Sequence, residues 1–123
     1  DLDAPTIGVF KEAFWGDTQV YIRGGMNGWG AVDMFEYQGE GVYTADIELS
    51  AGSIEFKVAS EDWSTVNLGS PNDAASNVVT PSEPKILGAS NNNLMIEVAE
   101  SGLYEFKVSG PDGNAPTLTV TKK

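Results

Sequence analysis

Apolar positions along this chain recur with a period of two, not the 3.6 of a helix. Val20 and Ile22 alternate with Gln19, Tyr21 and Arg23, and Tyr43, Ala45, Ile47 and Leu49 alternate with Thr44, Asp46 and Glu48. Ile54, Phe56 and Val58 alternate with Glu55 and Lys57, and Leu94, Ile96 and Val98 with Met95 and Glu97. Tyr104, Phe106 and Val108 alternate with Glu105 and Lys107, and Leu118 and Val120 with threonines. One apolar and one polar face per segment is what a sheet covered on one side requires. Turn signals separate the runs: Gly39–Gly41, Ser50–Gly52, Ser101–Gly102 and Pro111–Asp112–Gly113–Asn114. No segment carries a helical pattern. Many short strands with Gly- and Asn-rich turns predict an all-β fold, an antiparallel β-sandwich in preference to a barrel. A further short strand is predicted near Ile7–Phe10.

Two segments resemble each other, Ala51–Ser60 (AGSIEFKVAS) and Glu100–Gly110 (ESGLYEFKVSG). They read as two core strands entered by similar tight turns. The stretch Gly69–Gly88 is polar, contains proline and is weakly patterned. It is long for a loop in a compact domain, and such loops are often functional.

A length of 123 residues fits a single domain over 1–123 with one core. The chain has no cysteine and no histidine, which removes disulfides, thiolate chemistry, the commonest general base and the commonest metal ligand. A net charge of −11 repels phosphate backbones and anionic lipid but not a neutral ligand. No nucleic-acid or membrane partner is therefore expected, and no apolar run is long enough to span a bilayer. No signal peptide is recognisable, and a first residue of Asp1 reads as an excised module or processed product. The expected context is a secreted, extracellular bacterial protein, monomeric as a module.

Enzymatic motifs are missing. There is no usual triad and no usual zinc site. The glycines of Gly24–Gly30 (GGMNGWG) do not open a helix, so they are not a phosphate loop. Paired carboxylates could be drawn from the 18 acidic residues, but a sandwich this small rarely supplies the deep cleft of a glycosidase. The reading is noncatalytic. Asp73 and Asp112 lack the spacing of a calcium loop. No metal and no cofactor are expected.

The distinctive feature is aromatic rings in polar loops. Trp29 lies in Gly24–Gly30 and Trp63 in Ser60–Thr65 (SEDWST), neither on an alternating apolar face. Rings of this size flanked by Gly, Asn, Asp and Ser predict an exposed interaction surface. A glucose ring suits it: one face is flat and apolar, and the edge carries hydroxyls. Stacking that face removes roughly 100 Å² of apolar area, or about 2–3 kcal/mol per Trp before ordering costs. Lys57, on the polar face of its strand, offers donors to the hydroxyl edge, and Asn91, Asn92 and Asn93 offer amides that donate and accept. The plainer readings are end-capping for the two Trp, a solvated Lys57 and an Asn-rich turn. Trp15 reads as structural packing. The rival functions are a structural spacer and a protein-interaction sandwich.

These same residues carry a family resemblance. Val20–Gly30 (VYIRGGMNGWG), Ile54–Ala59 (IEFKVA) with Asp62-Trp63-Ser64, and Leu103–Thr121 resemble starch-binding carbohydrate-binding modules. The similarity is to modules attached to bacterial pullulanases and amylases, and to the glycogen-binding domain of the AMP-activated protein kinase β-subunit. It runs from about Gln19 onward. The resemblance implies an immunoglobulin-like sandwich of the early-set type that binds starch, maltooligosaccharide or cyclodextrin and targets an attached amylolytic enzyme to raw starch. Two Trp, a Lys and an Asn clasp the sugar in that family. They fall on Trp29, Trp63 and Lys57, and on Asn91 if counted from Gly88 or Asn93 if counted back from Val98. The stretch Ser64–Gly69 (STVNLG) resembles the pullulanase-type modules more than the kinase domain.

Overall fold

The structure is a computed structural model that describes residues 15–16, 18–110 and 116–123. It contains twelve strands: β1 (Val20–Gly24), β2 (Asp33–Met34), β3 (Glu36–Gly39), β4 (Val42–Leu49), β5 (Gly52–Ser60), β6 (Asn67–Gly69), β7 (Val78–Val79), β8 (Lys85–Ile86), β9 (Gly88–Ala89), β10 (Leu94–Val98), β11 (Gly102–Ser109) and β12 (Thr117–Lys122). The described residues contain no helix. One sheet runs β2-β1-β5-β10-β7, with β6 on the second half of β5 and β9 on β6; the other runs β3-β4-β11-β12-β8. Every pairing is antiparallel except β10 with β7. The fold is a β-sandwich.

The period-two pattern does what it predicts. Val20, Ile22, Phe56, Val58, Leu94 and Ile96 from the first sheet meet Tyr43, Ala45, Ile47, Phe106, Val108, Leu118 and Val120 from the second in one core. The two similar segments become β5 and β11, each central in its sheet. Phe56 and Phe106 meet edge-on between the sheets, ring centroids 5.6 Å apart and planes at 86°, a favourable aromatic geometry. Both strands begin at a glycine of positive φ, 129° at Gly52 and 159° at Gly102. Trp15 packs as expected, its ring 4.3 Å from Tyr43 and 5.8 Å from Phe35.

The structure departs from the sequence pattern in three places. Strands β2, β3, β6, β7, β8 and β9 are two to four residues long, too short for alternation to be read. The stretch Gly69–Gly88 is not one loop: it leaves β6, adds β7 to the edge of one sheet and β8 to the edge of the other, and so crosses the sandwich. The polar face of β1 and β5 is closed to solvent around Arg23, 8% exposed, Lys57, 5%, and Ala59, 0%, although Glu55 farther along β5 stays exposed. Turns fold over that face, as described below. The expected strand at Ile7–Phe10, the turn at Pro111–Asn114 and Asp112 lie outside the described residues.

Candidate functional site

The site grows from the outer face of β1 and β5, where Arg23 and Lys57 stand directly opposite each other across the antiparallel ladder. Beyond β1 the chain turns tightly. Asn27 and Trp29 both donate backbone N–H groups to the Gly24 carbonyl, at 3.1 and 2.9 Å. The Asn27 side chain locks this turn: Oδ1 accepts from the Gly24 N–H, and Nδ2 donates to the Ile22 carbonyl and to Asp33 Oδ2, both at 2.8 Å. Gly24 must be glycine because a Cβ there would come within 2.4 Å of the Glu55 carbonyl on β5. The turn leaves Trp29 half-buried in left-handed backbone, with φ 65°.

The second indole is set by an Asx turn. Asp62 Oδ1 accepts the Ser60 hydroxyl at 2.6 Å and the N–H groups of Ser64 and Thr65, each at 3.0 Å. Asp62 Oδ2 accepts the Thr65 hydroxyl at 2.6 Å. These donors, the Ser60 hydroxyl foremost, hold the Asp62 carboxyl well below the usual carboxylate range. Trp63, inside the turn, is half-buried and also left-handed, with φ 61°. Left-handed backbone costs a non-glycine residue about 1–2 kcal/mol. Its occurrence at both indoles means the surrounding bonds impose both orientations.

Arg23 joins the two turns. Its Nε donates to the Trp29 carbonyl at 2.9 Å, and one terminal N donates to the carbonyls of Ser60 at 3.0 Å and Glu61 at 2.9 Å. Its guanidinium carbon lies 3.8 Å from the centroid of the Trp63 ring, a cation–π contact. The Trp29 and Trp63 rings are 6.3 Å apart at the centroids and tilted by 43°. Two indoles far apart in sequence therefore form one angled surface, clamped from beneath by a buried cation. Arg23 was not singled out by sequence reasoning. The available signal was its place two residues after Tyr21, on the same polar face as Lys57.

Lys57 is beneath a loop, not on an open face. Its ammonium donates to the Ser90 carbonyl, and burial lowers its pKa from the usual lysine value. The loop lies this close because residue 69 is glycine: a Cβ there would fall 2.0 Å from the Asn92 carbonyl oxygen and 3.1 Å from Lys57 Cε. The Ser90 hydroxyl donates to the Ser70 carbonyl, and Asn92 Nδ2 donates to Asn72 Oδ1 at 3.0 Å. Asn93 turns away, its Nδ2 donating to Glu55 Oε1 at 3.0 Å. Neither Arg23 nor Lys57 has a carboxylate partner among the described residues; carbonyl oxygens take that role.

A groove of 930 Å³ runs beside Trp63, lined by Trp15, Asn67, Asn72, Ser90, Asn91 and Asn92 among others. The structure thus brings Trp63, Asn91 and Asn92 to one groove, with Trp29 against Trp63. Lys57 and Asn93 do not line it. Asn67 Oδ1 is the one buried side-chain atom without a hydrogen-bond partner among the described residues. The described residues hold no cluster of three or more acids suited to a metal ion.

No family model matches the chain, and no curated protein matches it. A solved structure described as "Ligand induced structure of AmyP-SBD", a starch-binding domain, matches 86% of this chain and 72% of its own, at a TM-score of 0.63 and 21% identity. At that identity the likeness is one of fold.

Proposed function

We propose that this domain binds an α-1,4-glucan without catalysis, on the angled surface made by Trp29 and Trp63 and in the groove beside it. The observation that carries this reading is the indole pair, 6.3 Å apart and tilted by 43°. A flat polymer such as cellulose would match coplanar rings. A helical α-glucan presents a curved face, which two inclined rings follow. Asn91 and Asn92 are exposed beside Trp63 and supply acceptors and donors for ring hydroxyls. Lys57, beneath that loop, holds it through the Ser90 carbonyl and so positions Asn91 and Asn92. The fold shared with a starch-binding domain supports the same ligand class. So does a net charge of −11, which carries no penalty against a neutral polymer.

Affinity for short oligosaccharides should be modest, roughly −4 to −8 kcal/mol or millimolar to micromolar. Tethered to an amylolytic enzyme, such a module raises the local concentration of catalyst at a granule. The test is retention on raw starch against cellulose, with maltoheptaose as competitor. Retention on starch alone, lost in Trp29→Ala with the melting transition almost unchanged, is expected. Equal retention on both polymers overturns α-glucan specificity. Absence of any saturable change in Trp fluorescence with maltoheptaose or β-cyclodextrin favours a spacer.

A further inference from the structure

Beside the groove at Trp63 lies a second cleft of 570 Å³, lined by Glu55, Pro71, Asn77 and Asn93 among others. Asn72, Asn91 and Asn92 line both, so a single amide wall separates them. Each cleft is within the range of about 300–1,000 Å³ common for small-molecule sites. The second has no indole. Its chemistry is carried by amides, and the hydrogen bonds of those amides follow one rule.

Four of them are tied at one end only. Asn72 Oδ1 accepts from Asn92 Nδ2 at 3.0 Å, and Asn77 Nδ2 donates to the Asn93 carbonyl at 3.0 Å. Asn93 Nδ2 donates to Glu55 Oε1 at 3.0 Å. The protein thus fixes each side chain while leaving Asn72 Nδ2, Asn77 Oδ1, Asn92 Oδ1 and Asn93 Oδ1 without a partner among the described residues. Asn91 makes no side-chain hydrogen bond to them at all. The result, Asn91 aside, is a held set of neutral donors and acceptors around a cleft, with less rotamer freedom to lose on binding. Sugar hydroxyls, which donate and accept together, match it. An anion would meet Glu55 and three amide oxygens. A divalent cation would find a single carboxylate, already engaged by Asn93.

We infer that this cleft takes further glucose units of the chain held at Trp63, so that the ligand track crosses the Asn91–Asn92 wall. The inference rests on the proposed function and extends it: the long segment after β6 becomes part of the binding surface, and the domain prefers long glucans.

Longer oligosaccharides bind tighter for statistical reasons alone, so binding enthalpy is the readout, measured by calorimetry with maltotriose and a maltodecaose. Ala75 lines the second cleft and not the first, is exposed and makes no hydrogen bond among the described residues, so Ala75→Leu plugs the cleft without touching the indole surface or the fold. In the native protein the long sugar should release clearly more heat than the short one. In Ala75→Leu the two enthalpies should converge, with maltotriose affinity and melting temperature unchanged. Equal enthalpies in the native protein, or an excess that survives the plug (checked with Ala75→Glu), overturn the second subsite while leaving the indole site standing. Failure of the native protein to bind either sugar overturns both readings.

Discussion

The Arg23 guanidinium carbon lies 3.8 Å from the centre of the Trp63 ring, while Nε of the same side chain holds the Trp29 carbonyl at 2.9 Å. One buried cation therefore fixes the angle between two indoles on separate turns. Its fork reaches three carbonyls, a geometry the single point donor of lysine cannot reproduce.

Arg23→Lys keeps the charge and loses the fork. Maltoheptaose affinity should fall about tenfold, the loss of one or two charged hydrogen bonds' worth of preorganisation. The two indoles are close enough to couple electronically, so the far-ultraviolet circular dichroism couplet of the pair should shrink at the same time. A couplet and affinity that both stay native would show that Arg23 does not set the pair.

Gly69→Ala tests the close approach of the amide loop. A Cβ placed 2.0 Å from the Asn92 carbonyl oxygen must push that loop away from β6. Overpacking of this kind costs about 1–3 kcal/mol. Chemical denaturation should show that loss, and starch retention should weaken because Asn91 and Asn92 move with the loop.

Asp62 makes the fold acid-sensitive through the Trp63 turn. Its folded pKa is depressed, so its contribution to stability is present above the ordinary value of 3.8 and is lost progressively as pH falls below it toward the folded value. The denaturant midpoint should decline on acidification through that range, while starch retention and the dichroism couplet hold as long as the protein stays folded. Asp62→Asn should flatten the decline, because an amide keeps the acceptor toward Ser64 and Thr65 without titrating. An Asp62→Asn variant with the native acid profile would assign the effect elsewhere.

Lys57 gives a slope of the same sign at the alkaline end. Its folded pKa is lowered by desolvation, so the unfolded chain holds more protons between that value and the ordinary 10.5, and stability rises with pH across the interval. Tyr43 opposes this: burial raises its pKa, so unfolded tyrosine ionises first and stability falls as pH passes 10.0. The native curve minus that of Lys57→Met cancels the Tyr43 contribution and should rise through the alkaline range. A flat difference would show that Lys57 is not desolvated.

The sequence E-F-K-V occurs twice, at Glu55–Val58 and Glu105–Val108, and marks what was legible. Alternation identified both strands, their inward phenylalanines and the sandwich. It could not distinguish the lysines, since Lys107 is exposed and Lys57 is covered. The difference comes from residues distant in sequence: the Trp63 turn and the Ser90–Asn93 loop fold over β5, while among the described residues no such loop buries Lys107 on β11. Period-two reasoning assigns a side chain to a face but cannot say what later closes over it. Arg23 was overlooked for the same reason. Trp29, Trp63 and the asparagines stood out because aromatic rings amid turn residues conflict with local preference, and that conflict survives without knowledge of the fold.

Left-handed backbone at both indoles has an evolutionary corollary. At Trp63 a glycine would adopt φ 61° freely, so Trp63→Gly and Trp63→Ala lose the same ring contacts but the glycine variant should be the more stable of the two, by about 1–2 kcal/mol in chemical denaturation. Once the ring is gone, drift selected only for thermal robustness would thus settle on glycine here. A bulky aromatic persisting at this position in a lineage would measure how strongly the ring itself is being maintained against that backbone preference.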